Sequence, residues 1–442
     1  MPAADLAALG LELAAVQLVF RHGARDMSSD HRCFSPMHES FRRCHVEPIV
    51  AYTGVDGSQP SSTLVKEMVD AYPSAQRPRQ PGCGRGFLLD SAVPQTRAFA
   101  DAFREAYFPH FAGGAPSLNE TRFYSTDKQR TLATLFMLQS FVFTTDGHAG
   151  GANMTRVYTR PLESDHWDLN QPCERFQGAR HSRAYNSGTV AKLLFPDFVA
   201  RWAAVAGTDF EPSFKDCLLV AHCSDHIELP KDLRPGTPLF EETLRVSLHL
   251  FQRTYANNGL GVRLLAAPAL LELAHFVEQQ AAGTGPKLAL WATHDTTLIV
   301  LLTALGLWDG QWPPYMDSLV MEVYRGRGGA HFRLVHGGRV LKLPWCAGDA
   351  AHRHGLCPVA KFLPDSIAIY RNQRVLDADC AEPAFYAELG GEQRWGLGGR
   401  NAALAAGTIG MVLAAALGFA AGRSRGSGVV ELNGRQPLLG DA

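Results

Sequence analysis

Residues 14–30 read AAVQLVFRHGARDMSSD, an apolar run that ends in two arginines and a histidine. Val16-Gln17-Leu18-Val19-Phe20 is short and rich in branched and aromatic side chains, the make-up of a buried strand. Arg21, His22 and Arg25 follow at its end and would repel one another unless something anionic sat among them. Gly23 lacks a Cβ and lets backbone come close to that group.

A second stretch ends the same way. Residues 287–293, KLALWAT, form an apolar strand that stops in His294-Asp295, and TTLIVLLTALG continues as a helix closed by Gly306. Between the two lie a helical pattern over 88–107, with apolar residues at 99, 103 and 107 and Pro94 near its start, and a short strand over 122–124. Another helical pattern, STDKQRTLATLFMLQSFVF, has Ser125 or Asp127 as its cap. Further strands are expected over 319–324, 332–335 and 340–343, and no internal repeat is visible.

Alternating strands and helices predict an α/β fold with a mainly parallel central sheet flanked by helices. Ligands of such sheets bind beyond the carboxyl ends of the strands, so Arg21-His22 and His294-Asp295 are expected to share one crevice. The expected core comprises residues 11–144 and 271–395, with a mainly helical cap inserted over 145–270.

Composition narrows the chemistry. The 442 residues are 46% hydrophobic and 19% charged, as in globular proteins, and a net charge of −1 offers no field for nucleic acid. The anion site must therefore be local. The nine cysteines include no C-x-x-C array, which argues against structural zinc. His166, His181, His222 and His226 lack ligand spacing, and Gly82, Gly84 and Gly86 do not open a helix behind a strand, so no metal or dinucleotide is expected.

Two guanidinium forks suit a tetrahedral oxyanion, with phosphate the natural candidate. A histidine beside bound phosphate either donates a hydrogen bond or attacks phosphorus to give a phosphohistidine. Attack requires an acid for the departing alkoxide. Asp295 is the carboxyl in place, and its need to keep a proton implies work at acidic pH.

The C-terminal region points to a membrane. Residues 402–422, AALAAGTIGMVLAAALGFAAG, carry no charge and are long enough to cross a hydrocarbon core of roughly 30 Å. Arg423 and Arg425 follow, which assigns 423–442 to the cytoplasm. The Asn119 and Asn153 sequons and the many cysteines agree with a lumenal or extracellular catalytic domain, endosomal/lysosomal or at the cell surface. Residues 1–10 lack the pattern of a secretory leader, so a segment preceding Met1 is preferred to insertion by the tail.

VFRHGAR and ATHDTTL resemble the two signature motifs of the histidine acid phosphatase family, within the phosphoglycerate-mutase-like superfamily. LLDSAVPQTRAFADAFREAY resembles that family's Gln-bearing helix, STDKQRTLATL its Ser-Thr-Asp-x-x-Arg-Thr segment, and GLWDGQWPPYMDSLVMEVY its strand region after His-Asp. Similarity extends over roughly residues 14–380. The C-terminal part is most similar to lysophosphatidate-type members and the anchor to membrane-bound acid phosphatases.

The resemblance implies hydrolysis of phosphomonoesters with His22 as nucleophile and Asp295 as proton donor. Arg21, Arg25 and His294 would bind the phosphoryl group, and Cys346 and Cys357 would form a family disulfide. It implies neither metal nor cofactor. The expected partners are a phosphomonoester and the bilayer, not nucleic acid, with a homodimer left open.

Two departures stand out. Met27 replaces the proline that closes the first motif, and Tyr124 replaces the arginine before Ser-Thr-Asp. Arg122, on the same strand face, and the Tyr124 hydroxyl are the expected substitutes for that third phosphate-binding group. The alternative is a catalytically weak or inactive membrane homologue that binds phosphate or phosphoglycan.

Overall fold

A computed structural model of the chain describes residues 10–27, 86–143, 156–169, 188–223, 229–255, 259–347 and 354–381, with Leu6 and Cys173. The span at 402–422, the tail at 423–442, Asn153, Cys33, Cys44 and Cys83 lie outside the described residues.

Strand β1 (Leu11–Arg21) is buried along nearly its whole length because it has a strand on each side and helices on each face. The other strands are β2 (Thr121–Ser125), β3 (Val157–Tyr158), β4 (Leu288–Thr293), β5 (Ser318–Gly326), β6 (Gly329–His336), β7 (Arg339–Val340) and β8 (Cys357–Pro358). They run in the order β3-β2-β4-β1-β5-β6-β7, with β8 beside β6.

The sheet is mixed rather than mainly parallel. β3, β2, β4 and β1 pair in parallel, whereas β1–β5, β5–β6, β6–β7 and β6–β8 are antiparallel. The turns dictate this. β5 and β6 are joined by two residues, Arg327-Gly328, and β6 and β7 by Gly337-Gly338, both at positive φ (54° and 73°). Loops this short form only hairpins.

Alternation along β1 distributes its side chains. Val16, Leu18 and Phe20 enter the core under α1 (Ala92–Tyr107) and α2 (Gln129–Phe143), while Ala15 and Val19 enter the opposite core. A bulge between Leu13 and Ala15 shifts the register, so Leu13 falls on the α1/α2 side despite its odd number.

In chain order, residues 188–255 supply α3 (Gly188–Leu194), α4 (Pro196–Ala206), α5 (Phe214–His222) and α6 (Pro238–Tyr255), followed by α7 (Gly259–Ala282) and α8 (Asp295–Ala304). Helices α4 and α5 share an aromatic core of Phe198, Trp202, Phe210 and Phe214, which extends to Ala24, Met27 and Leu89 of the loops beyond β1 and before α1. The α7 helix runs unbroken past residue 270 and, although long and apolar, buries its face on the sheet through Leu270, Leu273 and Val277.

Candidate active site

β1 and β4 are neighbours in parallel register, with Arg21 opposite Thr293. Their ends therefore deliver His22 and His294 to one place, with ring centroids 5.5 Å apart and the rings edge to face. The sequence expectation of a shared crevice holds.

His22 is 1% exposed, and its Nδ1 lies 2.8 Å from the carbonyl of Gly23. A carbonyl only accepts, so Nδ1 carries the proton and Nε2 keeps its lone pair. Burial, then the charges of Arg130 and Arg21, hold the pKa of His22 well below that of an ordinary histidine. The ring is a neutral imidazole whose Nε2 is the unprotonated nitrogen.

The absence of a Cβ at Gly23 serves packing against α1: a Cβ there would lie 2.8 Å from that of Ala92. The backbone N–H of Gly23 is bound by Thr134 of α2 at 3.1 Å, and that of Ala24 by Gln95 of α1 at 3.0 Å. The loop that bears His22 is thus fastened from both helices.

Three guanidinium groups bear on His22: Arg21, Arg25 and Arg130. Arg21 donates to the Pro313 carbonyl at 2.6 Å, pairs with Asp295 at 2.9 Å and lies over the Tyr315 ring. Arg25 donates to the Asp26 carbonyl and pairs with Asp216 at 3.0 Å. The buried Nε–H of each of the three has no hydrogen-bond partner among the described residues. Buried charged donors are costly to leave unbound, so a cluster of them marks an anion site.

Arg130, on the first turn of α2, is the arginine of the Ser-Thr-Asp-x-x-Arg-Thr segment, to which the sequence reading gave no role. Its Nη2 lies 3.3 Å from His294 Nδ1, and burial followed by the charge of Arg25 lowers its pKa to about 10. A guanidinium can only donate, so His294 carries its proton on Nε2, which faces Thr126 at 3.0 Å and Asp168 at 3.1 Å. Both nitrogens of His294 are engaged. In this arrangement it orients Arg130, with its Nε2–H turned to Thr126 and Asp168.

Asp295 opens α8, where its Oδ1 accepts from the Thr296 N–H at 2.8 Å and its Oδ2 from Trp312 Nε1 at 3.0 Å. Burial pushes its pKa up, but Arg21, Lys215 and Arg25 outweigh burial and hold it below the usual carboxylate range. The carboxyl expected to retain a proton is thus ionised while Arg21 remains its partner.

Asp216 is a second carboxylate that sequence did not single out. It comes from α5, pairs with Arg25 and with Lys215 at 2.9 Å, and is held far below its ordinary pKa by them against burial.

Tyr124 and Arg122 are not brought to this group. Tyr124 stacks on Trp291 with centroids 3.8 Å apart and planes within 9°, because β2 and β4 place the two residues side by side. Arg122 is exposed and donates to the carbonyls of Asn119 and Thr121. Asn119 is exposed just before β2. Cys346 and Cys357 are disulfide-bonded, and a second bridge joins Cys173 to Cys380.

An α/β sheet presenting a neutral histidine among unsatisfied guanidinium groups defines a protein that handles a tetrahedral oxyanion. Comparison with known proteins agrees. Residues 12–336 match the model of the histidine phosphatase superfamily (branch 2), and the chain belongs to that family. Lysophosphatidic acid phosphatase type 6 of Bos taurus is 24% identical over 390 residues, covering 81% of this chain and 84% of the relative. Lysosomal acid phosphatase of Bos taurus is 25% identical over 315 residues, covering 67% and 73%. The apo form of Hafnia alvei phytase superposes with a TM-score of 0.57 at 13% identity, over 84% of this chain and 98% of that one, a likeness of fold. The chain is a phosphatase.

Proposed function

We propose that the chain is an acid phosphatase that hydrolyses phosphomonoesters through a covalent phosphohistidine on His22. The observation that carries this reading is the fixed tautomer of His22, whose unprotonated Nε2 sits among three guanidinium groups with unpaired Nε–H donors.

The phosphoryl oxygens take the donors of Arg21, Arg25 and Arg130. The Nε2 lone pair attacks phosphorus while the bond to the ester oxygen breaks, and the proton of Asp295 passes to that oxygen. Positive charge gathering on the ring is drawn off through Nδ1–H to the Gly23 carbonyl. Water then gives a proton to Asp295 as its oxygen attacks phosphorus, the P–N bond breaks, and phosphate leaves. Three fixed cations meet charge that grows in the transition state.

An anion on Arg21 shares the guanidinium that depresses Asp295, so substrate binding itself favours protonation of the acid. Arg130 supplies a third guanidinium where Tyr124 does not, which favours turnover over the binding-only reading. The relatives' names, lysophosphatidic acid phosphatase and lysosomal acid phosphatase, and the apolar segment at 402–422 support a catalytic domain held at a membrane, facing the lumen or the outside.

The test is release of phosphate from p-nitrophenyl phosphate between about pH 4 and 7, with mass spectrometry of alkali-quenched Asp295→Asn protein, since the P–N bond is stable in base. Wild type should turn over, His22→Ala should not, and a phosphoryl group should be found on His22. Equal background from wild type and His22→Ala would leave a binding protein.

A further inference from the structure

The segment from Pro313 to Asp317, between α8 and β5, is tied to the catalytic end of β1. Arg21 Nη1 donates to the Pro313 carbonyl at 2.6 Å, the Arg21 backbone N–H to the Asp317 carbonyl at 2.8 Å, and the Met316 N–H to the His22 carbonyl at 3.4 Å. Met316 sits at φ 62°, one of two non-glycine residues in the left-handed region among the described residues. A residue with a Cβ stays there only where its surroundings over-determine it. They do so here. Its side chain is buried in the core under α1, and its Sδ accepts from Thr96 Oγ1 at 3.7 Å.

This strained turn presents Tyr315. The half-buried ring covers the Arg21 guanidinium, whose Cζ lies 4.0 Å from the ring centroid, and stands tilted against the His22 ring at 5.9 Å. It also packs against the aromatic core of α4 and α5. Burial, against the charges of Arg25 and Arg21, pushes its pKa up to about 12. The hydroxyl therefore stays neutral, and Arg21 meets the face of a phenol, not a phenolate.

We propose that Tyr315 is a positioning residue for the phosphatase reaction, whose ring locks the plane of the Arg21 guanidinium and, through it, the carboxyl that protonates the leaving oxygen. A guanidinium is planar, so a ring on its face resists rotation and leaves its edge to bind. That edge is divided between Pro313, on Nη1, and Asp295, 2.9 Å from Nη2. Turning the plane would take Nη2 off the carboxylate. Asp295 also accepts from Thr296 and Trp312, so loss of the ring loosens the acid without releasing it.

The inference rests on the reading of Asp295 as the acid, and the dependence on leaving group separates the two. p-Nitrophenolate departs with little help from an acid, whereas the alkoxide of β-glycerophosphate needs the proton. The experiment compares kcat/KM on both esters for the full chain as wild type, Tyr315→Leu, Tyr315→Phe and Asp295→Asn, each at its optimum pH. Thermal denaturation shows that every variant is folded.

Tyr315→Leu should lose about tenfold on β-glycerophosphate and about threefold or less on p-nitrophenyl phosphate. Tyr315→Phe, which keeps the ring, should stay within about threefold of wild type on both. With Asp295→Asn discriminating between the esters, the inference alone falls if Tyr315→Leu loses equally on both or loses nothing, or if Tyr315→Phe is as damaged as Tyr315→Leu. Equal losses on both esters in Asp295→Asn would overturn the acid assignment and the inference with it.

Discussion

Arg130 and His294 are joined by a hydrogen bond of 3.3 Å from guanidinium to Nδ1, and this contact links the first turn of α2 to the end of β4. Through it Asp168, bound to the far side of the same ring, helps orient a cation that the reacting histidine feels. Removal of Arg130 should therefore cost activity without unfolding the chain. Arg130→Ala is expected to lower kcat/KM on p-nitrophenyl phosphate by about 10²–10³-fold, the scale for loss of one donor to developing charge. Arg130→Lys should fall between, since an ammonium keeps the charge but not the fork. Wild-type kinetics in Arg130→Ala would remove it from the site.

Trp312 donates to Asp295 Oδ2 and so favours the ionised carboxyl. In Trp312→Phe the pKa of Asp295 should rise. Because the reaction needs the protonated acid, the limb of the pH–rate profile that falls with rising pH should move to higher pH, by about half a unit to one unit for loss of one such bond. A limb that stays put, or moves to lower pH, would contradict the assignment of Asp295 as the acid.

Asp216→Asn strips Arg25 of its buried counter-charge, and breaking such a pair typically costs about 3–5 kcal/mol. Asp216 has a depressed pKa in the folded state, so its contribution is fully present above the unfolded value of about 4 and is lost as pH falls below it. Urea titrations of wild type and variant should show a constant gap from pH 7 to about 5 that narrows under more acid conditions. A gap that widened there would reverse the sign of the argument.

The Tyr124 hydroxyl has no place in the phosphoryl site, so Tyr124→Phe should keep kcat/KM within about twofold, as for a surface-like change away from the chemistry. Tyr124→Arg should not accelerate turnover, because Arg130 already supplies the third fork and the new charge breaks the stack on Trp291. A tenfold rise in kcat on p-nitrophenyl phosphate would show the third fork to be missing after all.

The Cys173–Cys380 bridge closes a separation of 207 residues, and its loss through Cys380→Ser should lower stability by about 2–5 kcal/mol. Calorimetry with and without reductant reads this directly. An unchanged Tm would mean the bridge does not form in solution.

The strand ends were legible because an apolar run that stops in charged residues needs no tertiary knowledge to interpret, and Arg21, His22, Arg25 and Asp295 follow from it. Strand direction was less so, since no side chain encodes it. The clues lay in Arg327-Gly328 and Gly337-Gly338, whose length and glycines permit only hairpins. Tyr124 was misplaced because its fate depends on β2 lying beside β4, which sets Trp291 next to it. Arg130 stood in the quoted Ser-Thr-Asp-x-x-Arg-Thr segment, but its role was hidden for a related reason: a residue on a helix's first turn reaches a site only if the helix is aimed there. Asp216 could not be read at all, since nothing local connects α5 with Arg25.

That last pairing has a practical corollary for protein engineering. Helices α3 to α6 invite exchange among relatives as a means of redirecting substrate preference. Yet a graft that leaves out the carboxylate at position 216 strands Arg25 with a buried, uncompensated charge, so any such chimera must import that one acid together with its new surface.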